Sequence, residues 1–568
     1  MGDTFFITTA IDYTNAAPHI GHAYEKILAD VIARYHRLKG GKVFFLTGVD
    51  QHGQKVQQSA EKQGIAPQDF VNGVTQQFIA LWDKLDVRYD RWAATTDPLH
   101  KECVQRILQR LWDDKGADGA SRWIYKKTQR GFYSVRQEQF LTDKERNERG
   151  EFGPEWGQVE ERDEENYYFR LIAHPSLPLD PKQWLLDFIE KRSRDGNPFV
   201  VPDFRVSELR NAVEKLEGDL CISRPKSRLS WGIEIPFDPN FVTFVWFDAL
   251  VNYISFAGYE GNAECGMRNA ESGKPQTAIP DPQFTSVWPA LHVIGKDILI
   301  PAHGVYWPIM LKALGFADED MPTLLVHGFW NNAGAKVSKS LGNIVDPDAL
   351  ADKYGAEALR YYLVSDMAIG RDADFSEERL VQRYNNDLAN SLGNLLNRTL
   401  SMAGKYRDFC VNKLNYAIDH EDFEAVEQSE VVEHLAKQLA TGPTLRGHYC
   451  EHMDKNDISI AFEWTLDEIS GGNRLIELVK PWVLFKREKL GSGSAKEKLD
   501  AVLYHLAESL RIIAILISPV LPKAAAGIFA QLNWNGPMTL SEAEWGKLPD
   551  GHQLGQPKPL FPRIEGAT

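Results

Sequence analysis

The first fifty residues restrict the fold more than any other part of the chain. Residues 4–11 (TFFITTAI), rich in aromatic and β-branched side chains, read as a buried strand, and a turn containing Pro18 follows. From about Gly21 to Lys39 the apolar residues Ile27, Leu28, Val31, Ile32, Tyr35 and Leu38 recur at three- and four-residue spacing, which predicts a helix that Gly40-Gly41 stops. A second strand, Lys42 to Val49, ends on Asp50. Strand, turn, helix and strand in this order predict an α/β fold with a doubly wound parallel sheet, in which ligands bind at the carboxyl ends of the strands. The turn after residue 11 and Asp50 are both expected at that end.

With 568 residues the chain should hold about three or four structural units. Residues 1–116 read as the first half of a split Rossmann-type domain. Residues 117–235 change character, with short strands, many turn residues and the acidic run QVEERDEENYYF, and read as an inserted connective α+β domain. Strand-like runs resume at 241–250 (FVTFVWFDAL) and 286–295 (SVWPALHVIG), followed by a helix from His303 to Leu314 and a strand at 323–329 (TLLVHGF). The second half of the Rossmann-type domain is therefore assigned to 236–322. A linker region, 323–375, contains the loop NNAGAKVSKSLGN. Periodic stretches predict an all-α bundle over 376–540, and 541–568 read as a polar tail.

Apolar residues make up 43% of the chain and charged residues 25%, so a core can be buried without staples and disorder as the main state is excluded. The five cysteines are far apart and form no C-x-x-C pair, which argues against a disulfide framework or a zinc knuckle. No basic region precedes the apolar residues of MGDTFFITTA, and Ile512 to Val520, the longest mainly apolar stretch, is far short of the roughly 18 residues that span a bilayer. A cytoplasmic protein is expected, and Asn397-Arg398-Thr399 is then a chance match to a glycosylation acceptor. The net charge of −15 argues, as a total, against nucleic acid. The total is concentrated, however: residues 137–165 carry −7 and 421–430 carry −5. RNA is therefore not excluded, but its binding should depend on local basic strips and be salt-sensitive.

Two motifs carry chemistry. Pro18-His19-Ile20-Gly21-His22 lies between the first strand and the first helix. Helix N-termini leave amide donors free and carry partial positive charge, so they attract phosphate. His19 and His22 add donors for an anionic transition state, and Gly21 lets a ligand approach the backbone. Taken alone, the motif also fits two surface histidines. Lys336-Val337-Ser338-Lys339-Ser340 lies in a glycine-punctuated loop after TLLVHGF. Its lysines can follow a pyrophosphate as charge develops, and its hydroxyls can bond the same oxygens, although alone it also fits a solvated basic loop. Together the motifs are specific, since each stands next to a strand of one inferred sheet. No Walker A sequence is present to support a P-loop.

On these motifs the chain resembles the class I aminoacyl-tRNA synthetases, whose HIGH and KMSKS signatures stand here as residues 19–22 and 336–340, with both lysines kept. Through TTAIDYTNAAPHIGHAYE, FLTGVDQHGQK, FVWFDALVNYI, IGKDI, YWPIML and LVHGF it is similar to the methionyl-tRNA synthetase family over nearly the whole chain. The resemblance implies ATP-dependent formation of methionyl-adenylate, with Mg²⁺ on the phosphates, and transfer of methionine to the 3′ end of initiator and elongator methionine tRNA. It implies that His19, Gly21, His22, Lys336, Ser338 and Lys339 bind ATP, with the histidines at the α-phosphate and the lysines at the leaving pyrophosphate. Asp50 would anchor the amino group. The thioether pocket would comprise Ala10, Ile11, Tyr13, Trp246, Ala249, Leu250, Tyr253, Ile298 and His303, and a polarizable unbranched side chain suits such aromatic edges. Singly, each aromatic also fits plain core packing.

The chain departs from the family pattern twice. GKDILIPAHGVYWP is one residue longer than the family pattern and contains Pro301, so the resemblance places Ile298 less firmly than His303, which keeps its spacing to Trp307. Many relatives carry cysteine knuckles in the connective domain, whereas EFGPEWGQVEER puts Gly153 and Trp156 at the ligand positions. No structural zinc is expected, and Phe152, Trp156, Tyr167, Tyr168 and Phe169 should hold the segment by packing. About 119 residues are too few for the editing domain of isoleucyl, valyl and leucyl relatives. A cysteinyl enzyme would place cysteines near the motifs.

Anticodon reading is implied for Asn394 and Arg398, which share a helix face, and for Pro481-Trp482. Single-stranded bases stack on aromatic rings and bond through their edges, and Lys480, Lys486, Arg487 and Lys489 would face phosphates. A Trp beside Pro also fits an ordinary bundle core. Because no further domain follows the bundle, a monomer is expected. Two rival classes remain at this point. A nucleotidylyltransferase acting on a small molecule would leave the bundle and Trp482 unused, and a silent tRNA-binding paralogue would usually have lost a signature motif.

Overall fold

The computed structural model describes residues 4–565 apart from 135–138, 142, 144, 145, 148, 260–281, 333, 337–343 and 414–441. Strand β1 (Thr4–Thr9) is followed by the short β2 (Asp12–Tyr13), the first helix (Ile20–Leu38), β3 (Lys42–Asp50) and β4 (Arg91–Ala94). The helix is buried along most of its length, from Ile20 to Leu38. A connective sheet comes next, with β5 (Ile124–Ser134), β6 (Gln139–Leu141) and β7 (Val159–Phe169) in an antiparallel ladder. The chain then forms β8 (Val200–Val201), β9 (Leu220–Cys221), the pair β10 (Ser223–Pro225) and β11 (Phe241–Thr243), β12 (Ala290–Gly295) and β13 (Thr323–His327). The main sheet has the order β2-β3-β1-β12-β13-β8, with β4 also on β3, and every pairing in it is parallel. This is the α/β architecture expected from the first fifty residues, followed by a mostly helical bundle.

Four local expectations need correction. Residues 241–250 are extended only through β11, which pairs with β10 outside the main sheet, while Val245–Ser255 is a helix. That helix is buried from Phe247 to Ser255, which erases the polar face that separates helical from strand periodicity. The helix expected from His303 is entered through a π-type segment, Leu299–Tyr306, whose backbone is extended at Ile300, and the regular α-helix is Trp307–Ala313. A π turn takes up one extra residue, which suits the longer segment after GKDI. Within the region read as an insertion, β8 pairs with Leu324 and Leu325 and becomes an edge of the main sheet. Two residues are too few to carry a periodicity. The connective sheet therefore comprises β5, β6, β7 and β9, packed through Trp123 on Phe169, Tyr125 on Tyr168 and Phe132 on Phe152, while the Trp156 carbonyl accepts from Ser134 Oγ at 2.6 Å.

The fourth correction concerns the polar tail. Ala543, Leu548, Leu554 and Phe561 are buried, and β18 (His552–Gln553) pairs with β17 (Cys410–Val411). Arg511 and Glu508 form a fully buried ion pair on the long bundle helix Gly493–Ile517. Arg511 donates to the carbonyls of Glu542 and Glu544, and Glu508 accepts from the amides of Lys547 and Leu548. Sparse apolar anchors without period read as a tail but pack as a strap. No helix among the described residues is long and apolar enough to cross a membrane.

The first helix joins the two halves of the molecule. Asp30 on it meets Arg360 at 2.7 Å, both side chains fully buried, and Tyr35 Oη donates to Asp454 of the bundle helix Gly442–Asp454 at 2.8 Å. Arg360 also donates to the carbonyls of Leu85, Pro519 and Val520. Without Arg360, Asp30 would keep Arg34 and the Arg88 amide, but the buried carbonyls of Leu85, Pro519 and Val520 would lose their charged donor, at a cost of about 1–3 kcal/mol. Arg360→Met is expected to lower the free energy of urea unfolding by that amount; a loss under about 1 kcal/mol would contradict the role given to the pair.

Candidate active site

His19 caps the first helix. Its backbone is extended, its Nδ1 accepts from the Gly21 amide at 3.1 Å, and His22 Nδ1 accepts in return from the His19 amide at 3.1 Å. This reciprocal capping satisfies two helix-end donors with imidazoles where Ser and Glu usually serve. The rings stack with centroids 3.8 Å apart. Since Nδ1 accepts in both, Nε2 carries the proton of each neutral ring.

A cavity of about 420 Å³ opens at the carboxyl ends of β1, β3, β12 and β13. His19, Gly21 and His22 line it, together with Ala10, Ile11, Tyr13 and Asp50 from the β1 and β3 side. Trp246, Ala249, Leu250 and Tyr253 line it from the helix Val245–Ser255, and Ile298 and His303 from the π-type segment. All the residues expected at the methionine site thus share one cavity with the histidine motif.

Hydrogen bonds fix the polar groups of this cavity. His303 Nδ1 donates to the Ile298 carbonyl at 2.9 Å, so its Nε2 accepts from Tyr253 Oη at 2.7 Å. Burial pushes the His303 imidazole down to about 4, which keeps it neutral in that role. Ile298 reaches the cavity at the start of the π-type segment, and its carbonyl orients His303. Behind Tyr253 lies His292 of β12, with ring centroids 4.1 Å apart, bonded to Thr8 Oγ1 and accepting from Trp307 Nε1. Asp50, at the end of β3, lies 3.4 Å from Thr95 Oγ1 and from the His52 amide.

Several charged groups here escape sequence reasoning. Lys26 is fully buried and donates to Asp12 Oδ1 at 2.6 Å, Glu25 Oε1 at 2.9 Å and the Ala10 carbonyl at 3.0 Å. Burial pushes the Asp12 carboxyl up to about 7, although Lys26 opposes the shift. Asp12, Glu25, Asp297 and His327 all line the cavity. Asp248 accepts from His52 at 2.6 Å and from His100 at 2.8 Å, and the other nitrogen of His100 meets Ser255 Oγ at 2.8 Å. This network ties the pocket helix to the residues after Asp50. Burial would raise the Asp248 carboxyl, but the charge and hydrogen bonds of His52 and His100 hold it at about 2. Its members come from three separated segments, and no spacing rule joins them.

The second motif is only partly described. Lys336 ends β15 (Ala335–Lys336), which pairs with β14 (Trp330–Asn332), itself parallel to β16 (Ala373–Phe375). Trp330 lines the cavity, so β14 runs from it toward the motif. Ser338 and Lys339 lie outside the described residues. In the bundle, Asn394 is exposed, Arg398 pairs with Glu477 at 2.7 Å, Pro481 is buried and Trp482 is 37% exposed. Tyr406 stacks on Phe485, so the helices that carry the two pairs pack together. Lys480, Lys486, Arg487 and Lys489 are exposed beside Trp482.

Residues 5–149 and 156–400 match the family described as tRNA synthetases class I (M), and residues 424–568 match the anticodon binding domain of methionyl tRNA ligase. The chain belongs to the methionyl-tRNA synthetase family. A methionine–tRNA ligase of Caldanaerobacter subterraneus subsp. tengcongensis is 38% identical over 569 residues, covering 100% of this chain and 80% of that protein. One of Thermosynechococcus vestitus is 37% identical and covers 99% of this chain and 98% of its own length. Among solved structures, Mycobacterium tuberculosis methionyl-tRNA synthetase in complex with methionyl-adenylate superposes with a TM-score of 0.82 at 33% identity, covering 99% of this chain and 100% of that one. The free state of that protein gives 0.78 at 30% identity. The family match leaves out residues 150–155.

A carboxyl with its pKa lowered on folding contributes stability above its unfolded value, and that contribution is lost as pH falls toward its folded value. For Asp248, held at about 2 against an ordinary 3.8, roughly 1 kcal/mol should disappear between pH 5 and pH 3. Asp248→Asn should be less stable than the wild type at pH 5 and should show a correspondingly shallower decline in urea unfolding over that interval. Parallel declines would refute the network.

Proposed function

We propose that the chain is a methionine–tRNA ligase that activates methionine with ATP and passes it to the 3′ end of methionine tRNA. The observation that carries this reading is the shared cavity, in which the histidine-capped helix N-terminus faces the Tyr253–His303 pair and Asp50. Methionine's ammonium sits against the Asp50 carboxylate. Its thioether lies against Tyr253, whose hydroxyl can turn from His303 Nε2 to the sulfur, a weak acceptor. The substrate carboxylate attacks the α-phosphorus of ATP, forming the mixed anhydride as the bond to pyrophosphate breaks. Nε2–H of His19 and of His22 stabilise the α-phosphate, while Lys336, Ser338 and Lys339 hold the departing pyrophosphate. A hydroxyl of the terminal tRNA ribose then attacks the adenylate carbonyl and releases AMP. Positioning and electrostatics supply the rate, and no covalent nucleophile is required.

Mg²⁺ enters this reading through the ATP phosphates. No group of three or more His, Cys, Asp or Glu side chains suited to a metal occurs among the described residues, and Mg²⁺ is commonly held by substrate phosphates with few protein ligands. The exposed Trp482, the Asn394–Arg398 face and the basic strip beside them would receive the anticodon of initiator and elongator methionine tRNA alike. The small-molecule nucleotidylyltransferase reading leaves that surface without a partner.

Amino-acid-dependent ATP–pyrophosphate exchange across all twenty amino acids is expected to respond to methionine above the rest. No methionine signal, or a stronger one with another amino acid, would sink the proposal. Trp482→Ala should weaken tRNA charging about 10- to 100-fold, the scale of one lost base stack, and leave exchange unchanged. Equal loss in both assays would exclude an anticodon role.

A further inference from the structure

The proposed mechanism gives no role to Glu25 or His327, yet both are buried, at 7% and 5% exposure, and both line the cavity. Glu25 lies three residues beyond His22, one turn along the first helix. His327 is the last residue of β13, and the chain runs from it through Gly328 and Phe329 into β14, β15 and Lys336. The two side chains meet at 3.1 Å between Glu25 Oε2 and His327 Nε2. The other ring nitrogen, Nδ1, lies 2.7 Å from the Gly328 carbonyl.

A carbonyl oxygen only accepts, so Nδ1 carries hydrogen; an ionised carboxylate also only accepts, so Nε2 must carry one as well. The pair therefore holds one proton more than a neutral imidazole and an ionised carboxylate would share without strain. Glu25 Oε1 already accepts from Lys26, whose remaining bonds go to Asp12 and the Ala10 carbonyl. A cation committed to Glu25 favours its ionised form and leaves the extra proton on the ring. Burial raises the Glu25 carboxyl, but Lys26 and His327 outweigh it and hold the group below the usual range. Asp12, Lys26, Glu25 and His327 thus form a buried row of hydrogen-bonded groups from β2 to β13. Other groups face the pair from the surrounding elements. Asp297 lies across Gly295, where an added Cβ would sit 2.8 Å from its carboxylate and 3.7 Å from His327 Cε1. Tyr24 presents its ring edge-on at 5.2 Å, and Tyr253 and His303 interact electrostatically with Glu25. Asp297 adds a second anion near the ring.

We propose that His327, held as an imidazolium between Glu25 and the Gly328 carbonyl, is a positioning residue that fixes the helix bearing His19 and His22 against the strands leading to Lys336. Both of its N–H groups are committed inside the protein, so it acts through the geometry of its neighbours. The inference rests on the adenylate-forming reading above.

The test uses the full-length protein labelled with ¹⁵N-histidine at pH 7.5, with the His327 ring signals assigned by their loss in His327→Gln. Both ring nitrogens of His327 are expected at imidazolium positions, and the shifts of a neutral tautomer would overturn the proposal. In Glu25→Gln the ring should become neutral; a persistent imidazolium would equally overturn it. In pyrophosphate exchange, both variants should lower kcat by about 10- to 100-fold while the methionine KM stays within about two-fold, the pattern of misaligned motifs over an intact amino-acid pocket. A kcat within two-fold of wild type, or a rise in methionine KM matching the fall in kcat, would refute the strut. If wild-type protein shows no methionine-dependent exchange, the functional reading fails, while the ¹⁵N result still decides the charge state.

Discussion

A charged pair without access to water holds the histidine motif and the bundle in one register. Arg360 and Asp30 are both fully buried, and taking such ions out of water costs several kcal/mol each unless every lone pair and proton is matched. The match here is nearly complete. The guanidinium spans Asp30, the Leu85 carbonyl at the end of the helix Pro67–Lys84, and the carbonyls of Pro519 and Val520 just past the long bundle helix, where partial negative charge collects. Asp30 takes further bonds from Arg34 and from the Arg88 amide. Because Asp30 and the histidine cap share one helix, the contact that docks the bundle also fixes the axis along which that helix addresses the cavity.

The same economy runs through the site. Its imidazoles do not wait for a ligand to choose their proton positions: the capping contacts set His19 and His22, the Ile298 carbonyl sets His303, and Thr8 with Trp307 sets His292. Dipoles oriented before the reaction need no reorganisation during it, which is the physical basis of electrostatic stabilisation in enclosed sites. The π-type segment belongs to this scheme, since the carbonyl that orients His303 comes from Ile298 at its N-terminal end.

Legibility in the sequence followed the range of the interaction. The first helix, expected from Gly21 to Lys39, runs from Ile20 to Leu38, because its apolar stripe and its glycine stop are local signals. The pocket residues were legible through motif resemblance, and they meet in one cavity. What failed was whatever depends on partners far away in sequence. FVTFVWFDAL reads as extended because the helix within it is largely buried, and β8 reads as part of an insertion because its two residues pair with the distant β13. The pairs Asp12–Lys26, Glu25–His327 and Asp248–His100 each join segments that no periodicity connects, so their charges read as solvated until the fold brings them together. The lysine motif falls mostly outside the described residues, and its chemistry rests on sequence.

The strap after residue 540 shows where the folded unit ends in energetic terms. Glu508 and Arg511 are buried in the middle of the bundle, and their remaining hydrogen-bonding capacity is met by backbone between Glu542 and Leu548. Removing that backbone would expose an ion pair's unmet valences inside the bundle core rather than trim a loose end. Deletion there is equivalent to a core mutation, and the segment of lowest apparent sequence information is a structural cofactor of the helix it crosses.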